Sequence, residues 1–218
     1  MKILKNITVF TLVMLLSVST VLEARDKNVS NFSSSTSNYV DSVGTFDGNK
    51  IYADVANNGL FLDYHVSGDS ALEWPKGTGV HSIFQSALWM GATVNGSIRT
   101  IVGDYTQDMG PGPWGGDPLA AVHRIYKVEK SMLASPLDFA DFQEWPVDFG
   151  APWVDVDGDG VYSPLPGGPD HPEFLGDQVL WFVSNDGDPA YKLNFGTSPL
   201  NVEIQTTMFG FDRPDVFG

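Results

Sequence analysis

The chain has no cysteine. Disulfides, thiolate metal sites and cysteine nucleophiles are therefore excluded, and the fold must rest on packing, hydrogen bonding and any hard cation its oxygens can bind. Basic residues are also few. There are 12 Lys and Arg against 27 Asp and Glu, a formal net charge of −15. That balance argues against nucleic acid and against an anionic membrane surface, since both need clustered positive charge. It leaves cations, neutral ligands and solubility as the uses of the charge. Charged residues make up only 18% of the chain, so the composition is not that of charge-driven disorder.

What is abundant points to strands. Gly (23), Pro (14) and 12% aromatic residues favour short strands joined by tight turns over long helices. The N-terminus differs from the rest. Lys2 and Lys5 precede an uncharged, mostly apolar run from Ile7 to Leu22, and Ala24 offers a cleavage edge before Arg25. This is the layout of a secretory signal peptide over residues 1–24. A signal anchor is the rival reading, but the run falls short of the ~20 residues a span needs. After leader removal no transmembrane segment is expected, and the protein is expected to be secreted or held at the cell surface.

Residues 25–49 are rich in Ser, Asn, Asp and Thr and are expected to be a flexible lead-in. A β-rich extracellular domain is expected over residues 50–218. Because the chain stops at Gly218 just after an apolar strand, that domain is expected to be truncated at its C-terminal end. Within it, Ile51–Val55 and Gly59–Tyr64 read as strands around an Asn57-Asn58-Gly59 turn. His81 to Val94 reads as one strand buried on both faces. Asn95-Gly96 marks a hairpin into Ser97–Tyr105. Ala121–Lys130, Gln178–Val183 and Val202–Phe211 are further strands, and Ser135-Pro136-Leu137-Asp138 starts a short helix closed by Pro146. The fold class that follows is mainly β: an antiparallel β-sandwich-like domain with one short helix and Gly/Pro/Asp-rich loops.

The motif with the clearest chemistry is Asp155-Val156-Asp157-Gly158-Asp159-Gly160-Val161. Calcium takes several oxygen ligands, and carboxylates at alternate positions converge when the backbone curls around an ion. Gly160 permits the turn, and the backbone carbonyl of Val161 offers a further oxygen. The first half matches the start of an EF-hand loop. The second half does not, because the twelfth loop position is Pro166 and Pro164 and Pro166 forbid an exit helix. A later acid must close the shell, with Asp170 and Asp177 as candidates and Glu173 a poorer one. Between Ser131 and Tyr191 there are twelve Asp or Glu residues and no Lys or Arg, so a metal or solvent must relieve their repulsion. Asn185-Asp186-Gly187-Asp188 is a second, weaker cluster that reads as a tight turn or as an additional ligand set.

No catalytic centre is recognisable. His65, His81, His123 and His171 lack zinc spacing, no Ser lies in a nucleophile elbow, and Gly110–Gly116 lacks the Lys of a phosphate loop. Of the six tryptophans, Trp89 and Trp181 lie in apolar runs and are expected in the core, whereas Trp114 is expected to be exposed. Glu73-Trp74-Pro75 and Glu144-Trp145-Pro146 repeat the same turn chemistry, and their glutamates are the nearest approach to a glycosidase pair.

Several stretches taken together resemble the N-terminal region of large secreted proteins of Bacteroidota-like bacteria, which often end in a type IX secretion sorting domain that this chain does not contain. They are Asn57-Asn58-Gly59, Glu73-Trp74-Pro75-Lys76-Gly77, Leu88-Trp89-Met90-Gly91 followed by Ala92, Gly150-Ala151-Pro152 running into Asp155–Gly160, and Gly176-Asp177-Gln178 running to Trp181 and Asn185-Asp186. The resemblance implies an extracellular or cell-surface location and brings no known enzymatic activity with it. Two functions are therefore carried forward. One is a structural or adhesion-type module stabilised by calcium, engaging an extracellular ligand or cell-surface component. The alternative is an accessory carbohydrate-binding or glycoside-hydrolysing protein that uses exposed Trp and acidic residues.

Overall fold

The computed structural model describes residues 43–63, 70–104, 106–164, 169–192 and 197–213. In chain order the strands are β1 (Val43–Phe46), β2 (Tyr52–Ala56), β3 (Leu60–Leu62), β4 (Leu72–Glu73), β5 (His81–Ile83), β6 (Ser86–Ala87) and β7 (Trp89–Val94). There follow β8 (Ser97–Val102), β9 (Gly110–Pro111), β10 (Tyr126–Glu129), β11 (Trp153–Val154), β12 (His171–Pro172), β13 (Gln178–Asn185) and β14 (Glu203–Gly210). The one α-helix among the described residues, α1 (Ala140–Gln143), is a single turn set among 3₁₀ turns.

The organising element is β13. Its sequence Gln-Val-Leu-Trp-Phe-Val-Ser-Asn is apolar on both sides of the pleat, and all eight residues are buried. It pairs antiparallel with β14 along its full length, from Gln178↔Gly210 to Asn185↔Glu203. Its other edge takes β10 over Gln178–Trp181 and β9 over Ser184–Asn185. A second four-stranded sheet runs β1-β2-β4-β5. Successive side chains of a strand point to opposite faces. Leu180 and Phe182 therefore join Phe46, Ala53, Val55, Leu62, Ala71 and Ile125 in the first core, which lies between the two sheets. Val179, Trp181 and Val183 face the other way and join Tyr126, Val128, Phe142, Trp145 and Ala151 in the second core, under the helical turns. The chain is thus mainly β, with several antiparallel sheets and one short helix. No helix among the described residues is long and apolar enough to cross a membrane.

The Asn95-Gly96 hairpin forms as expected between β7 and β8. Both residues have positive φ, 51° and 79°, which matches the twist of the flanking strands. Three expectations are corrected. The folded part does not begin near Lys50, because β1 pairs with β2 from Val43↔Ala56 to Phe46↔Ala53. Only Phe46 of that strand is buried, so its sequence carries little apolar signal. His81 to Val94 is not one buried strand but three short ones, β5, β6 and β7, largely open to solvent. Trp89 is consequently 70% exposed, with its indole N–H donating to the Gly103 carbonyl at 2.6 Å. Ala121–Lys130 is part 3₁₀ turn (Ala121–His123) and part strand. The leader 1–24, the lead-in through residue 42, His65 and Pro166 lie outside the described residues.

Candidate metal centre

The aspartate loop is mounted on a short ladder. β11 pairs with β12 through Trp153↔Pro172 and Val154↔His171. Extending that register by one position sets Asp155 opposite Asp170, so two acids 15 positions apart in sequence come to one end of the ladder. Behind the ladder the loop is anchored in the second core. Trp153 and Tyr162 pack edge to face with centroids 5.5 Å apart, and the Tyr162 hydroxyl donates to the Phe142 carbonyl at 2.5 Å. Burial, reinforced by the negative charge of Asp170, pushes the Tyr162 phenol far above its ordinary range, so it stays a neutral donor.

Backbone N–H groups curl the loop around its own carboxylates. Asp155 accepts from Gly158 N–H (2.6 Å) and Gly160 N–H (2.9 Å). Asp170, 2% exposed, accepts from Val156 N–H (2.8 Å) and Ser163 N–H (2.9 Å), closing the loop at both ends. Asp157 accepts from Asp159 N–H at 3.3 Å, and Asp159 from Val161 N–H at 2.7 Å. Gly158 and Gly160 hold φ of 79° and 76°, a region open to glycine and costly for other residues. The outcome is that Asp155, Asp157, Asp159 and Asp170 each bring one oxygen within 4.8 Å of the others. This group can hold a metal ion.

The electrostatics fit that use. The ion pairs among the described residues join Arg124 to Asp141 and Glu144, Lys127 to Asp47, and Lys192 to Asp108 and Asp186, and none includes the four loop acids. The hydrogen bond from Asp159 N–H lowers the Asp157 carboxyl, but desolvation and the charges of Asp159, Asp170 and Asp155 outweigh it and leave the group above its ordinary value.

Of the two closing acids expected from sequence, Asp170 falls within the four-carboxylate group. Asp177 lies at the start of β13, where its carboxylate accepts the Asp212 N–H at 2.9 Å and its own N–H donates to the Gly210 carbonyl, so it is outside the four-carboxylate group. Val161 sits in the loop, where its N–H serves Asp159. The Asn185–Asp188 cluster is built into the framework instead. Asn185 donates to the Gly112 and Pro113 carbonyls, and buried Asp186 accepts Leu200 and Val202 N–H at 2.6 and 2.9 Å. Lys192 was not singled out by sequence. It is buried with Asp108, its ammonium 2.8 Å from that carboxylate and 3.8 Å from Asp186.

The glutamates considered as a glycosidase pair each have a local role. Glu73 accepts the Gly79 N–H at 2.5 Å, which holds its carboxyl below the usual range, the opposite of what a general acid needs. Glu144 pairs with Arg124 at 2.9 Å. No protein-family model, curated protein or solved structure matches the chain.

Proposed function

We propose that the protein is a secreted or cell-surface structural module of adhesive type, whose aspartate loop is fixed by bound calcium. The observation that carries this is the convergence of Asp155, Asp157, Asp159 and Asp170 without a cationic side chain among the described residues to neutralise them. Calcium is the ion such a set suits: a hard, all-oxygen donor group, with the Val161 carbonyl and water completing six to eight ligands. Magnesium fits less well, because it demands a tight octahedron and gives up water reluctantly. Extracellular calcium sites of this kind work at about 0.1–1 mM, which suits a constitutive structural role. The leader-like N-terminus supports the same location.

Thermal melts in millimolar calcium and in chelator test the metal. An ion held only by the folded form stabilises by about 2.7 kcal/mol at a hundredfold excess over its dissociation constant. Asp157→Ala is expected to remove the calcium-dependent gain, and Asp148→Ala, at an exposed position outside the cluster, to keep it. Identical wild-type melts in calcium and chelator would reduce the loop to an acidic turn. N-terminal sequencing of the native protein tests export, with a first residue near Arg25 expected.

A further inference from the structure

Away from the aspartate loop, the turn after β9 and the end of β13 enclose a hollow of about 250 Å³, lined among others by Gly110, Trp114, Gly115, Pro118, Asp188 and Tyr191. Trp114 is 49% exposed and yet firmly held. Its backbone N–H donates to Glu203 Oε2 at 2.8 Å. The preceding residues are gripped by Asn185, whose side-chain amide donates to the Gly112 carbonyl at 2.9 Å and the Pro113 carbonyl at 3.2 Å. The indole rests on Gly187, where a methyl group would come within 2.4 Å of Cζ3. An aromatic that is both exposed and immobilised loses little freedom on binding a ligand.

Two polar groups accompany the ring. The indole N–H of Trp114 has no protein acceptor among the described residues. Asp188 uses Oδ1 to cap the following 3₁₀ turn, accepting Ala190 N–H at 2.8 Å, and Oδ2 has no protein donor among the described residues.

We propose that this hollow binds a neutral pyranose, free or as one unit of an oligosaccharide. The C–H face of a sugar ring packs on an indole, and its hydroxyls both donate to a carboxylate and accept from an indole N–H. The volume lies below the ~300–1,000 Å³ of pockets for drug-sized ligands, which fits a single ring. Asp188, the nearby Glu203 and the overall charge of −15 disfavour uronic or sulfated sugars. An organic cation is the competing ligand for Trp beside Asp, but cation cages use several aromatic faces. Here the other aromatic, Tyr191, is buried with its ring against Gly110. The proposal does not rest on the metal reading, since no loop acid lines the hollow.

The test titrates the full chain, in calcium and again in chelator, with neutral cello-, xylo-, manno- and chito-oligosaccharides, with polygalacturonate and with choline. Binding is read by tryptophan fluorescence and calorimetry. At least one neutral saccharide is expected to bind. Trp114→Ala is expected to weaken it by about tenfold or more, and Trp89→Ala, an exposed indole elsewhere, to leave it unchanged. Gly187→Ala is expected to weaken binding while Trp114 and Asp188 are both retained, because the added methyl displaces the ring. Asp188→Asn is expected to weaken it while leaving the melting temperature unchanged, since Asn also caps. No binding by any neutral saccharide, binding indifferent to Trp114→Ala, or binding of choline or polygalacturonate instead would overturn the proposal. Loss of calcium-dependent stability with sugar binding intact would overturn only the metal site.

Discussion

Asp47 and Gln178, 131 positions apart, exchange two hydrogen bonds: Asp47 N–H donates to Gln178 Oε1, and Gln178 Nε2 donates to Asp47 Oδ1, both at 2.9 Å. The same Gln178 accepts Gly48 N–H and donates to Glu129 Oε1, so one buried amide fastens the end of β1 to the start of β13 and to β10. Gln178→Ala leaves those donors and acceptors unmatched at a partly buried site. The expected loss is about 2–3 kcal/mol in urea unfolding, from the orphaned polar groups and the lost packing.

Calcium binding should depend on pH through Asp157. Its carboxyl sits above the ordinary value in the metal-free fold. In chelator, the folded form therefore holds that proton more tightly than the unfolded chain does. The group then opposes folding at pH above its folded pKa, and the penalty disappears as pH falls through it. Calcium requires the ionised form, so affinity falls on acidification, starting above the range of an isolated aspartate. The melting curves in calcium and in chelator are expected to converge as pH drops. A calcium gain independent of pH down to the carboxylate range would contradict this.

Gly158→Ala and Gly160→Ala should each strain the loop, because both positions hold positive φ with open space around the absent side chain. The cost is about 1–2 kcal/mol per position, from backbone conformation and not from a clash. Calorimetric calcium titration is expected to show weaker binding for both variants. Gly158→Asn should be milder, since Asn tolerates this region.

β14 should make the protein self-associate. Its outer edge pairs with no described strand, and its eight residues Glu-Ile-Gln-Thr-Thr-Met-Phe-Gly include one charge, at the end, and no proline. Beside it runs an apolar trough of about 430 Å³, lined among others by Phe46, Ile51, Phe61, Leu72, Met208 and Phe209. An antiparallel copy sets Glu203 against Gly210 and so brings no like charges together. Sedimentation velocity is expected to show a concentration-dependent dimer, and Phe209→Lys to abolish it. A wild type that stays monomeric at all concentrations would show the edge to be protected.

The sequence made some of this legible and hid the rest for physical reasons. The Asn95-Gly96 hairpin, β13 and β14 depend on local pattern, and they formed where turn chemistry and apolar periodicity placed them. β1 was hidden because a strand with one buried side chain looks like polar linker. The apolar run around Trp89 was misleading in the other direction, since apolar residues also cover much of a protein's surface. In the aspartate loop, the grouping of Asp155, Asp157 and Asp159 could be read from spacing. The choice of Asp170 over Asp177 depends on the Val154↔His171 register, a tertiary fact. The buried Lys192–Asp108 pair likewise joins residues with no local pattern between them.

The two-sided burial of β13 also sets how the molecule opens. With Leu180 and Phe182 in one core and Val179, Trp181 and Val183 in the other, neither core can admit water without disturbing the strand that walls off both. The amide protons of β13 between Val179 and Val183 should therefore be the slowest to exchange with deuterium. They should be released together, at the free energy of global unfolding, whereas those of the exposed β7–β8 hairpin exchange through local opening at far lower cost.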